Sequence, residues 1–218
     1  MRILILFCVF GFDYIANIMY IPLKHLMSEL DKVLSANEEY SKNFKHGNLR
    51  APPSRKLAIL ACMDARLTVE DFLGLHTGDA HIIRNAGGIA TNDAIRSLII
   101  SHELLGTQEF IVVNHTDCGM LTFTDETLRK KLSEKYDADA AELKFYSFPD
   151  LEANVKNQVD KIKSTPFLPK EIPVYGFVYD VRSGKIKEVA RGIDSVATAA
   201  SQEGIQQEQE KEEQKTKG

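Results

Sequence analysis

Three side chains with sulfur or nitrogen donors mark the positions where this chain could hold a metal ion. Cys62 directly follows one apolar run, His115 follows another, and Cys118 comes three residues after His115. Two thiolates and one imidazole are typical of zinc, and three protein ligands leave the fourth coordination position open, as in catalytic sites. Other interpretations stay open, because His-x-x-Cys spacing arises by chance, a Cys after a buried strand is often a core residue, and two nearby thiols can form a disulfide.

A carboxylate and a guanidinium follow the first cysteine at alternate positions. The segment reads Cys62-Met63-Asp64-Ala65-Arg66. In an extended turn, side chains at alternate positions point the same way. Asp64 beside a metal could bind it or steer its water, and Arg66 could hold that carboxylate off the metal by a bidentate hydrogen bond. The alternative is an ordinary surface ion pair, which contributes little.

Alternating apolar strands and helices must position these residues. Short apolar runs and one turn predict strands at 57–61, 80–84, 110–114, 174–179 and 185–190. Helical spacing of apolar residues, or acidic-to-basic order of charges, predicts helices at 68–73, 91–105, 125–135 and 151–162. The order predicts an α/β fold with a mainly parallel central sheet flanked by helices. Functional groups gather at the carboxyl ends of parallel strands, so Cys62, His115 and Cys118 are expected to converge.

Composition restricts the classes of protein that this chain can belong to. It has 218 residues, 27 Lys and Arg against 31 Asp and Glu, a net charge of −4 and three cysteines. These values exclude collagen, wholesale disorder, a polytopic membrane protein and a disulfide scaffold. They also argue against a strongly basic nucleic-acid surface.

The chain divides into four predicted segments. Residues 1–22 form an apolar extension or weak targeting signal, 23–54 a helical arm and linker, 55–190 the metal-binding catalytic α/β domain, and 191–218 a polar tail. The N-terminal apolar run is too short for a confident transmembrane helix. It is interpreted as a translated extension upstream of Met27, as a targeting signal, or as a packed helix.

Three blocks of sequence are highly specific when taken together. They are Cys-Met-Asp-Ala-Arg at 62–66, Arg-Asn-Ala-Gly-Gly at 84–88 and His-Thr-Asp-Cys-Gly at 115–119. In order and spacing they resemble the signature blocks of β-class carbonic anhydrases, and the similarity runs over about 57–189. The chain looks closest to the compact microbial branch of that family, which also contains carbonyl sulfide and carbon disulfide hydrolases.

The resemblance implies a site with one zinc ion per subunit. Its ligands would be Cys62, His115 and Cys118. Asp64 would be either a fourth ligand in a closed form or the partner of Arg66 in an open form. The substrate pocket would be lined by Asn85, Ala86, Gly87, Gly88 and Gly119. The glycines permit close approach of the backbone, although a plain strand-to-helix turn would use them equally well.

The implied activity is that of a lyase, the reversible hydration of CO2 to bicarbonate by zinc-bound hydroxide. Family members are obligate dimers, often paired into tetramers, whose N-terminal helix wraps the partner subunit. Residues 23–44 could take that role, or could pack on their own sheet. No nucleic acid and no stable membrane insertion are expected. A cytoplasmic location is expected from the low cysteine count, with the apolar N terminus as the main objection.

Two other functions and two residue roles stay open. A carbonyl sulfide or carbon disulfide hydrolase would use the same zinc site, and a non-catalytic pseudoenzyme would keep a fourth protein ligand on zinc at every pH. Asp117 is expected to orient its loop by turn-type hydrogen bonds. The imidazoles that could carry protons are those of His76, His81 and His102, for which a structural role is the alternative.

Overall fold

A five-stranded sheet forms the centre of the computed structural model, which describes residues 28–192. The strands are β1 Leu57–Cys62, β2 Ala80–Asn85, β3 Glu109–His115, β4 Val174–Tyr179 and β5 Ile186–Gly192. They lie in the order β2-β1-β3-β4-β5. The first four are parallel, and β5 returns antiparallel to β4. The predicted α/β fold with a mainly parallel sheet is therefore confirmed.

Residues 28–192 also contain five helices and one short 3-10 turn, of which the first helix precedes β1. The helices are α1 Glu29–Lys42, α2 Val69–Phe72, α3 Asn92–Glu103, α4 Asp125–Tyr136 and α5 Leu151–Lys163. The 3-10 turn spans Gly119–Leu121. Side chains accept from backbone N–H groups at the start of α3 and α5, where Thr91 and Asp150 are the capping residues. Such caps satisfy donors that have no partner inside the helix.

The two faces of the sheet bury different sets of apolar side chains. On one face, α3 and α5 cover a cluster that includes Ala58, Leu60, Leu98, Phe110, Val112 and Val159. The other face carries a smaller cluster with Leu57, Ile59, Val69, Leu75 and Val113. Strand β1 contributes to both clusters because every one of its residues is buried. This agrees with the continuous apolar run expected of a central parallel strand.

Of the described residues, 28–47 and 48–192 belong to two separate compact units. In the first unit, α1 begins with a capping box between Ser28 and Asp31, and all of its residues are exposed. Residues 1–27, which hold the predicted extension and the start of the predicted arm, lie outside the described residues, as does the tail from 193 onward. Within residues 28–192, no helix is both long and apolar enough to cross a membrane.

The carboxyl ends of the parallel strands bring the chemical groups to one edge of the sheet. Cys62 is the last residue of β1 and pairs with Asn85, the last residue of β2. His115 is the last residue of β3 and pairs with Tyr179 at the end of β4. Since β1 and β3 are neighbours, Cys62 and His115 face the same edge although they are far apart in sequence.

Candidate metal centre

Three buried donor side chains meet at this edge. The Sγ atoms of Cys62 and Cys118 and a ring nitrogen of His115 all lie within 4.8 Å of one another. Cys118 reaches the group because the chain after β3 turns sharply at Asp117, whose φ is 56°, and enters the 3-10 turn at Gly119. The structure thus places together the three residues that the sequence predicted as ligands.

The imidazole of His115 is oriented for a further ligand. Its Nδ1 lies 2.8 Å from the carbonyl oxygen of Thr116. A carbonyl only accepts, so Nδ1 carries a proton and donates it, and in the neutral ring the lone pair is then on Nε2. Nε2 is buried and has no hydrogen-bond partner among the described residues. A buried acceptor without a partner is costly, and a cation between this nitrogen and the two thiols would satisfy it. The donor set therefore fits zinc.

The pKa values of the two thiols are shifted in opposite directions. A hydrogen bond from Cys118 holds the pKa of the Cys62 thiol well below its usual range, and the same contact together with burial raises the pKa of Cys118. The nearby backbone N–H groups of Asp64 and Gly87 lower the pKa of Cys62 further. Cys62 is therefore stabilised as a thiolate, the form in which cysteine binds metals.

Asp64 stands beside the three candidate ligands and is held by Arg66. The Nε and Nη2 atoms of Arg66 donate to Oδ1 and Oδ2 of Asp64 at 2.9 and 2.8 Å. Oδ2 of Asp64 also lies 3.7 Å from Nε2 of His115. The hydrogen bond from Arg66 keeps the pKa of Asp64 well below its ordinary value, so the carboxylate is charged.

Arg66 has a second partner that the sequence did not indicate. Its Nη1 donates to Oδ2 of Asp117 at 2.8 Å, and its Nη2 donates to the Asp117 carbonyl at 3.0 Å. Asp117 was expected to make turn-type hydrogen bonds within its loop; here it ties the loop after β3 to the loop after β1. The signal in the sequence was a second acid between His115 and Cys118, close to the arginine only in three dimensions.

The loop after β2 lies against the first cysteine. Arg84 donates to the carbonyl oxygens of Cys62 and Asp64 at 3.1 and 2.7 Å. The Asn85 amide closes its own loop by two hydrogen bonds to the backbone of Ile89, at 2.7 and 2.8 Å. Its side chain therefore braces the loop that was predicted to line a substrate pocket.

The other predicted pocket residues differ in exposure. Gly87 and Gly88 are buried, whereas Ala86 and Gly119 are exposed. Apolar side chains of Leu67, Ile89, Met120 and Phe148 form a buried cluster with the two cysteines, and this cluster is the apolar side of the centre. Phe148 comes from the loop before α5, and no local sequence pattern pointed to it.

Two of the candidate proton carriers have structural partners. Nδ1 of His81 lies 2.7 Å from the Ser101 hydroxyl, and Nδ1 of His102 lies 2.7 Å from the Thr107 carbonyl. His81 pairs with Ala58, four residues before Cys62, which places it about 13 Å back along the strands. For these two residues the structural alternative is the one that the contacts support.

Comparison with known proteins agrees with this geometry. Residues 57–186 match the family model described as carbonic anhydrase. Over 163 residues the chain is 45% identical to β-carbonic anhydrase 1 of Mycobacterium tuberculosis, covering 75% of this chain and 99% of the relative. Over 182 residues it is 36% identical to carbon disulfide hydrolase of Saccharolobus solfataricus, covering 73% and 88%.

A solved structure gives the same result for the fold. Carbonic anhydrase from Streptococcus mutans superimposes with a TM-score of 0.70 at 43% identity, covering 75% of this chain and 99% of that one. Sheet order, donor triad and sequence identity all point the same way, and the chain belongs to the β-carbonic anhydrase family.

Proposed function

We propose that this protein is a zinc-dependent carbonic anhydrase that catalyses the reversible hydration of CO2 to bicarbonate. The observation that carries the proposal is the buried Nε2 of His115, which has no hydrogen-bond partner in residues 28–192 and belongs to one cluster with the thiols of Cys62 and Cys118. Close relatives that bear the name β-carbonic anhydrase support the reaction. One zinc ion per subunit would be held by these three side chains.

The protein groups would divide the chemistry between them. Zinc bound in such a site lowers the pKa of water to near neutrality and so supplies the nucleophile. With the metal bound, Cys62 and Cys118 would both be thiolates that balance its double positive charge, and His115 would be a neutral ligand whose orientation is set by Thr116. Three protein donors leave room for a reactant beside the carboxylate of Asp64.

Asp64 and Arg66 would orient the reacting water. Each oxygen of the Asp64 carboxylate has two lone pairs, so it can accept a hydrogen bond from water while it accepts from Arg66. The fork of Arg66 also keeps the carboxylate from acting as a fourth ligand. This contact supports the open form of the site and argues against a pseudoenzyme with a permanent fourth protein ligand.

Metal analysis and CO2 hydration assays on the full chain test the proposal. We expect one zinc per subunit in the wild type, loss of zinc in Cys62→Ser and Cys118→Ser, and retention of zinc with loss of activity in Asp64→Asn. Met63→Ser is the matched control, because Met63 is next to Cys62 but 63% exposed. A wild type without zinc, or cysteine variants that keep zinc and full activity, would overturn the proposal.

A second candidate is the hydrolysis of carbonyl sulfide or carbon disulfide at the same site. The similarity to carbon disulfide hydrolases, at 34–36% identity, favours it. All three substrates are linear molecules with a central carbon open to attack by hydroxide. Measuring kcat/KM for CO2, carbonyl sulfide and carbon disulfide on one zinc-loaded preparation decides between the functions, since the preferred substrate has the highest value.

We further propose a homo-oligomer, a dimer or tetramer, located in the cytoplasm. The exposed Leu30, Val33 and Leu34 on one side of α1 support a contact with a second copy, since such stripes mark interfaces. The free, buried Cys62 and Cys118 suit a reducing compartment. Light scattering on the wild type and on Leu30→Glu, with Glu38→Gln as control, tests the proposed oligomer. A monomeric wild type would contradict it.

A further inference from the structure

A chain of buried amide side chains runs behind the metal centre. Asn114 donates to the carbonyl of Gly87 at 2.5 Å, and Asn154 donates to Oδ1 of Asn114 at 2.9 Å. Gln158 donates to Oδ1 of Asn154 at 2.8 Å and accepts from the backbone N–H of Ala90 at 2.9 Å. Asn114 comes from β3, whereas Asn154 and Gln158 come from α5. All three amides are buried, with at most 7% of their surface exposed.

The ends of this chain fix the orientation of every amide in it. The N–H of Ala90 can only donate, so Gln158 must present its oxygen there and its NH2 group to Asn154. The carbonyl of Gly87 can only accept, so Asn114 must present its NH2 group. Asn154, between them, then has one allowed orientation. A fully satisfied polar chain of this kind specifies one arrangement of the segments that it joins.

One of the joined segments, the stretch after β2, lies next to Cys62. The chain of amides bonds to both ends of the stretch from Gly87 to Ala90, and Gly88 within that stretch packs directly against the backbone of Cys62. Gly88, in the middle of this stretch, is also tightly packed. A Cβ atom on Gly88 would lie 2.7 Å from Nδ2 of Asn114 and 3.1 Å from the backbone of Cys62.

We propose that Asn114, Asn154 and Gln158 are positioning residues for the metal centre, and that they hold the stretch from Gly87 to Ala90 against the backbone of Cys62. The proposal rests on the zinc site proposed above. Apolar side chains would fill the same space without the cost of burying amides, so a packing role alone does not account for three amides in a row. The sequence contained a signal: two polar residues four apart on the apolar face of α5.

The variant Asn154→Asp breaks the chain at its centre and leaves the size of the side chain almost unchanged. The introduced carboxylate could accept from Gln158 but could not donate to Asn114. If Asn114 turned over to donate to that carboxylate, its own oxygen would face the carbonyl of Gly87. The mismatch would therefore reach Gly87 from a position in α5 whose side chain hydrogen-bonds only Asn114 and Gln158 among the described residues. Gln158→Met is a milder variant, uncharged and of similar volume, that removes only the far end of the chain.

The experiment measures zinc affinity, by competition with a chromophoric chelator, and the absorption spectrum of cobalt(II) bound in place of zinc. We expect Asn154→Asp to weaken zinc binding by at least about tenfold and to shift the cobalt spectrum, as partners of metal ligands generally do when lost. Gln158→Met should have a smaller effect in the same direction. Val159→Ala is the control, because it removes buried packing from the same helix and leaves all three amide side chains unchanged.

The outcomes separate the two proposals. If wild type binds zinc and both amide variants keep its affinity and cobalt spectrum, the positioning role is wrong and the zinc site stands. Val159→Ala and Asn154→Asp are compared at equal loss of melting temperature. If both then weaken zinc affinity equally, the amides are only part of the core. A wild type that binds neither metal overturns both proposals.

Discussion

Oδ2 of Asp64 lies 3.7 Å from Nε2 of His115, the nitrogen that faces the metal centre. The same oxygen accepts a hydrogen bond of 2.8 Å from Arg66. The carboxylate is thus close to the metal position but restrained by a guanidinium, whose remaining donors bind Asp117. The hydrogen bonds from Arg66 to Asp64 should therefore affect catalytic activity.

Arg66→Lys should reduce activity while the protein keeps its zinc. A lysine ammonium cannot form the planar fork that binds both carboxylate oxygens, so Asp64 keeps only the hydrogen bond of 2.9 Å from the backbone N–H of residue 66 and is less restrained. We expect kcat/KM for CO2 to fall by at least about tenfold, in line with other losses next to a metal site. Stopped-flow assays and zinc analysis of the same samples measure the two quantities.

Arg191→Lys is the matched control for that variant. Arg191 binds both oxygens of Glu188 at 2.7 Å on strand β5, a fork of the same type outside the metal centre. We expect wild-type activity from this control. Equal activity of Arg66→Lys and the wild type would contradict the assigned role of the guanidinium.

Asp117→Asn should have a smaller effect than Arg66→Lys. Asparagine tolerates the left-handed conformation at this position, where φ is 56°, so the loop is preserved while the ion pair with Arg66 is weakened. Arg66 keeps its fork on Asp64 in this variant. We expect a loss of kcat/KM of about threefold, between wild type and Arg66→Lys. A loss as large as that of Arg66→Lys would mean that Asp117 itself takes part in the reaction.

Gly88→Ala should destabilise the protein far more than Gly74→Ala. Both glycines have a φ of 61°, so a side chain at either costs about 1 kcal/mol in backbone strain. A Cβ on Gly74 would meet nothing within 4 Å, whereas one on Gly88 would press on Asn114 and on the backbone of Ala61 and Cys62. We expect Gly88→Ala to lose roughly 2–3 kcal/mol more than Gly74→Ala in denaturant unfolding. Equal losses would show that the loop can move away.

Asp125→Ala should destabilise the loop that carries Phe148. The Asp125 carboxylate accepts hydrogen bonds from the backbone of Phe145, Tyr146 and Ser147 and from the Ser147 hydroxyl, at 2.7–3.2 Å. Their loss should cost roughly 2 kcal/mol of unfolding free energy at pH 7. Glu126→Ala, next in the same helical turn, is the control and should cost less than about 0.5 kcal/mol.

The effect of Asp125 should depend on pH in a defined direction. Burial would raise the pKa of this carboxyl, but the hydrogen bonds from Ser147 and Phe145 outweigh burial and lower the pKa to about 2. The folded-state value is below that of the unfolded chain, about 3.9, so the stabilisation is complete above that value and is lost as pH falls toward 2. The difference in melting temperature between wild type and Asp125→Ala should therefore narrow from pH 6 to pH 3. A constant difference would contradict this assignment.

The sequence alone determined the order of elements and the type of chemistry. Apolar runs such as Leu57–Cys62 identify buried strands because local side-chain periodicity follows from backbone geometry. Donor residues placed directly after such strands then share one edge of a parallel sheet. The donor types of Cys62, His115 and Cys118, together with the resemblance of the three sequence blocks to β-class carbonic anhydrases, predict zinc, since preference for a metal depends on ligand chemistry.

Only the tertiary structure decided how those groups are oriented. That Nε2 of His115 faces the metal position depends on a carbonyl contact, and that Arg66 is shared with Asp117 depends on two loops 51 residues apart. The buried amides of Asn114 and Asn154 meet across 40 residues of sequence. Partners of this kind follow from the packing of β3 against α5, which fixes distances that no local pattern of residues encodes.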